Sequence, residues 1–233
     1  MRERAVFLDR DGTLVHPRHY PSRPEDLWLY DGLGPELRRL QSAGFRLVVI
    51  TNQSGIARGY FGEADLERMH EHLAGELGQL GVRLDGVYFC PHHPEGSIPE
   101  LSIACGCRKP APGMLLRAAH DLMLDLDRSW FVGDILDDVE AGNRAGCRTI
   151  LVDLGSESLP ASQLRRPDFV ARDTIHALRI IAAAESLRPL VELDYRPASW
   201  RMPDKETGRQ GDKETGSRCL SPCLLVSEKG KQR

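Results

Sequence analysis

Short apolar runs alternate with helical stretches along most of the chain, and this alternation limits the folds that the chain can adopt. The runs lie at residues 5–8, 45–50, 86–89, 130–132, 149–152 and 169–170. Between them, apolar side chains recur at helical spacing in residues 35–43, 64–80, 114–123, 139–145 and 175–186. Strands that alternate with helices predict a parallel sheet covered on both faces. We therefore expect an α/β fold, a Rossmann-like doubly wound parallel sheet.

Polar side chains stand at the ends of three predicted strands. Asp9, Thr51 and Asp134 each lie one or two residues beyond the end of an apolar run. In doubly wound sheets ligands bind at the carboxyl ends of the strands, so side chains that are distant in sequence meet there. The sequence therefore predicts that these three residues converge on one site.

The residues around Asp9 fit phosphoryl transfer. A carboxylate at position 9 can attack phosphorus, and Asp11 is close enough in sequence to protonate the leaving alkoxide. Asp134 adds a carboxylate for Mg²⁺, which prefers oxygen ligands. Thr51 and Lys109 offer a hydroxyl and a positive charge to the phosphoryl oxygens. Taken singly, each residue is more typical of a turn, a helix cap or a solvated surface than of catalysis; it is their joint occurrence in this order that favours catalysis.

A loop rich in cysteine and histidine follows the third predicted strand. It contains Cys90, His92, Cys105 and Cys107, arranged as two closely spaced pairs. Three thiolates and one imidazole form the tetrahedral ligand set that Zn²⁺ prefers, and a closed site of four ligands is structural. His93 is an alternative fourth ligand, and four free side chains are the other interpretation. We expect a structural zinc site in a loop spanning about residues 89–108.

Four motifs resemble those of the haloacid dehalogenase (HAD) superfamily and occur in the same order. They are Phe7-Leu8-Asp9-Arg10-Asp11-Gly12-Thr13, Thr51-Asn52, Arg108-Lys109-Pro110, and Gly133-Asp134 followed by Asp138. Within the superfamily the D-x-D form of the first motif marks phosphatases and phosphotransferases. The resemblance implies a Mg²⁺-dependent phosphomonoester hydrolase that works through a phospho-aspartyl intermediate.

Longer segments are similar to one branch of the superfamily. They are TNQSGIARG at 51–59, CPHHPEG at 90–96 and the C-x-C-R-K-P segment at 105–110. The D-glycero-D-manno-heptose 1,7-bisphosphate phosphatases of this branch remove the 7-phosphate during nucleotide-heptose synthesis. Histidinol-phosphate phosphatases belong to the same branch and share most of these motifs, so both substrates stay open.

The resemblance, which covers about residues 4–185, implies a role for each motif residue. Asp9 is the expected nucleophile, Asp11 the general acid/base, and Asp9, Asp11 (through its backbone carbonyl) and Asp134 the Mg²⁺ ligands. The expected phosphate- and substrate-binding residues are Thr51, Asn52, Gln53, Ser54, Arg108, Lys109, Arg18, His19 and Tyr20. Two positions depart from the family pattern: the loop at 16–20, where family members contact the sugar, and Ile135, where the family often has Lys.

Charge and hydropathy disfavour other classes of function. Residues 1–195 carry 22 Lys or Arg against 29 Asp or Glu, which argues against a nucleic-acid 3′-phosphatase. No apolar run approaches the roughly 18 residues of a membrane span, and the N-terminus lacks a secretory pattern. An inactive binding module is disfavoured because both Asp9 and Asp11 are present. We expect a cytoplasmic monomer that acts on a small sugar phosphate and binds neither nucleic acid nor membrane.

Apolar periodicity ends near residue 189. Beyond it the segment DKETG occurs at 204–208 and again at 212–216, in a stretch rich in charged residues. We therefore expect one phosphatase domain at 1–188 and a disordered tail at 189–233. No segment between the first and second motifs is long enough for a large cap domain.

Overall fold

The computed structural model describes residues 2–187, and the predicted tail at 189–233 lies outside the described residues. Six strands form one sheet in the order β3-β2-β1-β4-β5-β6, and all five neighbouring pairs are parallel. The strands are β1 Arg4–Leu8, β2 Phe45–Asn52, β3 Gly86–Cys90, β4 Trp130–Gly133, β5 Arg148–Val152 and β6 Phe169–Ala171. The predicted α/β class is confirmed.

Five α-helices cover the sheet. They are α1 Leu33–Ser42, α2 Glu63–Gln79, α3 Gly113–Asp121, α4 Leu136–Ala145 and α5 Thr174–Ala184. Each predicted helix is present, but α4 begins three residues before the predicted start at 139. The reason is a side-chain cap: the carboxylate of Asp138 accepts a hydrogen bond from the Ile135 amide at 3.3 Å, which stabilises the first turn.

The residues of β1 alternate between two apolar cores. Val6 and Leu8 belong to a larger cluster that includes buried side chains of α1, α2 and α5. Ala5 and Phe7 belong to a second cluster with residues of α3 and α4. All four side chains are fully buried, as expected for a central parallel strand covered on both faces.

The strand order reverses beside β1. From β1 the chain proceeds to β2 and β3 on one side, and it then returns to place β4 on the other side. Ligands of doubly wound sheets bind outside the carboxyl ends of the strands at such a switch point. Asp9 follows β1 and Asp134 follows β4, so the topology places both at this position.

The two longest connections between strands and helices of the described chain are still too short for a large cap domain. The chain from β1 to α1 comprises residues 9–32, and the chain from β3 to α3 comprises residues 91–112. Neither is long enough for a large cap domain, as the sequence predicts. Among the helices of the described part of the chain, none is long and apolar enough to cross a membrane.

Candidate active site

Three buried aspartates meet at the switch point of the sheet. Carboxylate oxygens of Asp9, Asp134 and Asp138 all lie within 4.8 Å of one another. Asp9 and Asp134 stand at the ends of neighbouring strands, and Asp138 projects from the first turn of α4. Three carboxylates that share so small a volume repel one another strongly unless positive charge lies among them.

Lys109 supplies one positive charge to this cluster. Its Nζ lies 2.6 Å from Oδ1 of Asp9 and 2.5 Å from Oδ1 of Asp138, and it also donates to the Ile50 carbonyl at 3.1 Å. The lysine side chain is 2% exposed. Burial alone would lower the pKa of Lys109, but the charges of Asp138 and Asp9 outweigh burial and raise it. The lysine therefore remains charged and bridges the two carboxylates.

One lysine does not neutralise three carboxylates. Burial raises the pKa of Asp9 to about 7, against the opposing charge of Lys109. Burial, together with the neighbouring Asp9 and Asp138, raises the pKa of Asp134 to about 9. All three carboxylates are ionised together at neutral pH only if further positive charge is present. A cluster of oxygen ligands with a deficit of positive charge fits a hard divalent cation.

The turn after β1 brings the backbone against this cluster. Gly12 has a φ of +83°, and a Cβ at this position would collide with the carboxylate of Asp134. Only glycine combines the left-handed conformation with so close an approach. The backbone at position 12 therefore lies directly beside Asp134, which keeps the Asp9–Gly12 segment and the end of β4 together.

Asn52 fixes the backbone of Lys109. Its side-chain amide donates to the Lys109 carbonyl at 3.1 Å, and its Oδ1 accepts from the Lys109 amide at 3.1 Å. This reciprocal pair joins the end of β2 to the third motif. Asn52 was expected to bind phosphate, whereas its described contacts position the lysine.

Asp11 lies beside the carboxylate cluster and is held by a second set of contacts. Arg10 donates from Nη2 at 2.8 Å and from Nε at 3.2 Å to Oδ2 of Asp11. Gln53 donates from Nε2 to the same oxygen at 3.1 Å and to Thr51 Oγ1 at 2.8 Å. Gln53 therefore links Asp11 to Thr51, which is 1% exposed at the end of β2.

The loop at 16–30 makes its own set of contacts. Arg18 pairs with Asp26 at 2.9 Å, and its guanidinium lies 4.7 Å from the centroid of the Trp28 ring. The ring of Tyr20 packs edge-on against His19 and Tyr60, with centroid distances of 4.5 and 4.8 Å. These contacts stay within the loop and the segment before α2. The expected roles of Arg18, His19 and Tyr20 in substrate binding stay predictions.

A second group of ligand atoms lies in the loop after β3. The sulfur atoms of Cys90, Cys105 and Cys107 are 3.2 to 3.5 Å apart, and Nδ1 of His92 lies 3.6 Å from Cys90 and 3.4 Å from Cys107. The neighbouring sulfurs of Cys105 and Cys107, together with burial, raise the pKa of Cys90. Three thiolates at these distances need a cation between them. The group can hold a metal ion, in agreement with the sequence.

His93 is not part of this group. Its ring nitrogens lie 3.2 and 3.5 Å from Nη2 of Arg58, and its Nδ1 accepts from the Glu95 amide at 3.1 Å. The alternative in which His93 replaces His92 as a ligand therefore disagrees with the structure.

The loop of the four ligands continues directly into the catalytic cluster. The amide of Arg108 lies 3.4 Å from the sulfur of Cys105, and its guanidinium donates to the His92 carbonyl at 3.4 Å. Lys109 is the next residue. The position of the buried lysine thus depends on the fold of the cysteine-histidine loop.

Ser54 was also expected to bind substrate. Its described contact is a backbone hydrogen bond, in which its carbonyl oxygen accepts from the Arg58 amide. The expected role of Ser54 stays a prediction.

Two residues of the site, Asp138 and Arg10, have roles that the sequence did not predict. Asp138 belongs to the fourth motif, but its contact with Lys109 connects positions 29 residues apart and emerges only in the folded chain. Arg10 stands between the two motif aspartates, where an arginine is typically solvated; here its side chain is fully buried. The sequence offered one indication that they belong to the site, because both residues lie inside recognised motifs.

Known proteins resemble this chain in sequence and in structure. Residues 106–177 match the family model described as HAD-hydrolase-like. Over 160 residues, 68% of this chain and 84% of the relative, the chain is 45% identical to D-glycero-beta-D-manno-heptose-1,7-bisphosphate 7-phosphatase of Escherichia coli K12.

Two solved structures extend the comparison. A HAD-like phosphatase from Mesorhizobium loti superposes with a TM-score of 0.70 at 39% identity, covering 80% of this chain and 88% of that one. The D,D-heptose 1,7-bisphosphate phosphatase of B. bronchiseptica, complexed with magnesium and phosphate, superposes with a TM-score of 0.65 at 31% identity, covering 78% and 99%. The chain is a phosphatase and belongs to the HAD-like family that contains the heptose 1,7-bisphosphate 7-phosphatases.

Proposed function

We propose that the protein hydrolyses the 7-phosphate of D-glycero-D-manno-heptose 1,7-bisphosphate. The observation that carries the proposal is the buried cluster of Asp9, Asp134 and Asp138 around Lys109, at the switch point of the sheet. Relatives such as the Haemophilus ducreyi protein, 41% identical over 96% of that protein's length, are named for this activity, and their name specifies the beta anomer. We therefore expect the beta anomer to be preferred.

In the first half of the reaction a carboxylate oxygen of Asp9 attacks phosphorus. A bond forms between Asp9 and phosphorus while the bond from phosphorus to the sugar oxygen breaks. A proton passes from Asp11 to the departing sugar oxygen, which leaves as an alcohol. The product of this step is a phospho-aspartate at position 9, with Asp11 ionised.

In the second half water attacks the phosphorus of the phospho-aspartate. Asp11, now a base, takes a proton from the water as the new oxygen–phosphorus bond forms, and the bond to Asp9 breaks. Inorganic phosphate leaves, Asp9 is regenerated as a carboxylate, and Asp11 is protonated again. One residue serves as acid and then as base, so the cycle closes without a further proton carrier.

The phosphoryl oxygens need positive charge and hydrogen-bond donors in both halves. We assign this task to Lys109, whose Nζ lies 2.6 Å from Asp9, and to the hydroxyl of Thr51. Arg108, beside Lys109 in sequence, is the expected contact to the rest of the substrate. Asn52 and Gln53 hold Lys109 and Asp11 in place through the hydrogen bonds described above.

The carboxylate cluster fits a magnesium ion. We expect Asp9, Asp134 and the backbone carbonyl of Asp11 to hold it, with Asp138 acting on the site through Lys109. When bound, Mg²⁺ neutralises charge on the phosphoryl oxygens and reduces the repulsion between an anionic nucleophile and an anionic substrate. The related B. bronchiseptica structure contains magnesium and phosphate.

We assign Zn²⁺ to the group of Cys90, His92, Cys105 and Cys107. Three sulfur atoms and one imidazole nitrogen would supply all four ligands that a tetrahedral zinc ion takes, and would leave no position for a substrate. Such a site is structural. Its effect on catalysis is indirect, because it fixes the loop that leads into Arg108 and Lys109.

The domain at 1–188, the monomeric state and the cytoplasmic location stay predictions from the sequence. The described contacts support one phosphatase unit over residues 2–187. The partner that the site requires is a small phosphorylated substrate.

The proposed substrate is tested by phosphate release from a panel assayed with Mg²⁺. The panel contains both anomers of D-glycero-D-manno-heptose 1,7-bisphosphate, histidinol phosphate and an oligonucleotide with a 3′-phosphate. We expect the highest kcat/KM for the beta heptose bisphosphate. Preference for histidinol phosphate would overturn the substrate while keeping the mechanism, and preference for the oligonucleotide would overturn both the substrate and the small-molecule class.

Replacing the nucleophile should abolish turnover without unfolding the protein. For Asp9→Asn we expect kcat to fall by about a thousandfold or more, because an amide does not form the acyl phosphate. Asp121→Asn, an aspartate paired with Arg117 at the end of α3, is the matched control and should retain activity. Wild-type-like turnover by Asp9→Asn would rule out position 9 as the nucleophile.

Removing one sulfur ligand should release the proposed zinc. Cys105→Ser should lower the zinc content measured by emission spectroscopy and lower the thermal unfolding temperature, because the loop loses its metal. Cys147→Ala, at a buried cysteine outside the group, should keep the full zinc content. One zinc per chain in Cys105→Ser would contradict the assignment.

A further inference from the structure

Arg10 is a buried charge whose contacts all point to one carboxylate. Its side chain is 0% exposed, whereas the carboxyl-bearing side chain of Asp11 is 27% exposed. Nε and Nη2 of Arg10 donate to Asp11, and the buried Nη1 has no hydrogen-bond partner among residues 2–187. A guanidinium is costly to bury, and this one is not fully satisfied, so packing alone is a poor reason for its presence.

Among the ion pairs of residues 2–187, Arg10 pairs with the carboxylate of Asp11 alone. The nearby His70 of α2 is also buried, and both of its ring nitrogens lack a hydrogen-bond partner among the described residues. Burial and the charge of Arg10 lower the pKa of His70 well below its ordinary value, so the ring is neutral. The electrostatic partner of Arg10 is therefore Asp11.

The two oxygens of Asp11 are held unequally. Oδ2 accepts three hydrogen bonds, from Nε and Nη2 of Arg10 at 3.2 and 2.8 Å and from Nε2 of Gln53 at 3.1 Å. Oδ1 accepts a single bond, at 3.1 Å, and it comes from the same Nη2 of Arg10 that donates to Oδ2. A carboxylate anchored through one oxygen has a fixed orientation, and its other oxygen is the one available to carry a proton.

We propose that Arg10 is a positioning residue for proton transfer: with Gln53 it anchors Oδ2 of Asp11, so that Oδ1 exchanges the proton with the substrate. The inference rests on the proposed role of Asp11. As the bond from phosphorus to the sugar oxygen breaks, the proton on Oδ1 moves to that oxygen. When water later attacks the phospho-aspartate, a proton of the water returns to Oδ1. Arg10 acts through Asp11, which receives all of its described hydrogen bonds.

The inference is tested by the dependence of kcat/KM on the leaving group. An alkyl phosphate releases a strongly basic alkoxide that needs a proton, whereas p-nitrophenyl phosphate releases a stable phenolate that does not. For Arg10→Met we expect kcat/KM for the best alkyl phosphate of the panel to fall by about 10- to 100-fold. This decrease is smaller than the loss expected on removing a general acid altogether, because Asp11 is still present. With p-nitrophenyl phosphate we expect a decrease of no more than about threefold on the same reasoning.

Two further variants separate positioning from a general effect on structure. In the double variant Arg10→Met with Asp11→Asn, kcat/KM for the alkyl phosphate should equal that of Asp11→Asn alone, because residues acting through one group are not additive. Arg46→Met is the control: this arginine is likewise held by carboxylates, those of Glu3 and Asp85, but at the opposite, amino-terminal side of β2. Arg46→Met should change kcat/KM for both substrates by the same small factor.

The outcomes are distinguishable. Equal losses of kcat/KM for the alkyl and aryl phosphates in Arg10→Met would overturn the inference. If Asp11→Asn itself lowers kcat/KM equally for the alkyl and the aryl phosphate, the proposed role of Asp11 fails, and the inference fails with it. Circular dichroism and zinc content check the fold. Should Arg10→Met not fold, Arg10→Lys carries the test, because it keeps the charge but loses the fork that anchors Oδ2; the same selective loss is expected, and its absence would overturn the inference.

Discussion

The bridge from Lys109 to Asp9 and Asp138 is the interaction on which the site depends. It places one buried positive charge between carboxylates that come from different elements, β1 and α4. Asp134, just after β4, belongs to the same 4.8 Å cluster, so carboxylates from the ends of two neighbouring strands lie side by side. Because one charge does not balance three carboxylates, the arrangement is suited to a divalent cation and, when that cation is bound, to an anionic substrate.

Lys109 is held from two further directions, and each connects it to a different part of the fold. Asn52 pins its backbone to the end of β2 through two hydrogen bonds of 3.1 Å. Upstream, the amide of Arg108 contacts the sulfur of Cys105, so the cysteine-histidine loop sets the approach of the chain to the site. A loop of this length has no apolar core of its own, and a metal at its centre is an effective way to fix it.

Most of the fold was predictable because central parallel strands are continuous apolar runs, and the polar residues that end them mark the site. Asp9 and Lys109 meet there, and Gln53 links Thr51 to Asp11; the four ligands of the cysteine-histidine loop form a separate group, also as expected. The contacts of Asp138 and Arg10 were not predictable from spacing. Each depends on the direction in which a side chain leaves its element: Asp138 reaches a lysine 29 residues away, and Arg10 turns into the core instead of solvent. Likewise, nothing in the sequence indicated that Arg18 pairs with Asp26.

The phospho-aspartate proposed at Asp9 can be trapped chemically during turnover. The enzyme is quenched in acid within milliseconds of mixing with substrate and Mg²⁺, and borohydride then reduces any acyl phosphate to the homoserine residue. Trypsin cleaves after Arg4 and Arg10, so Asp9 lies in a peptide with no other carboxylate side chain, and Asp11 falls in the next peptide. We expect homoserine at position 9 only in samples that contained substrate. Modification of the peptide that contains Asp11, or of neither peptide, would contradict it.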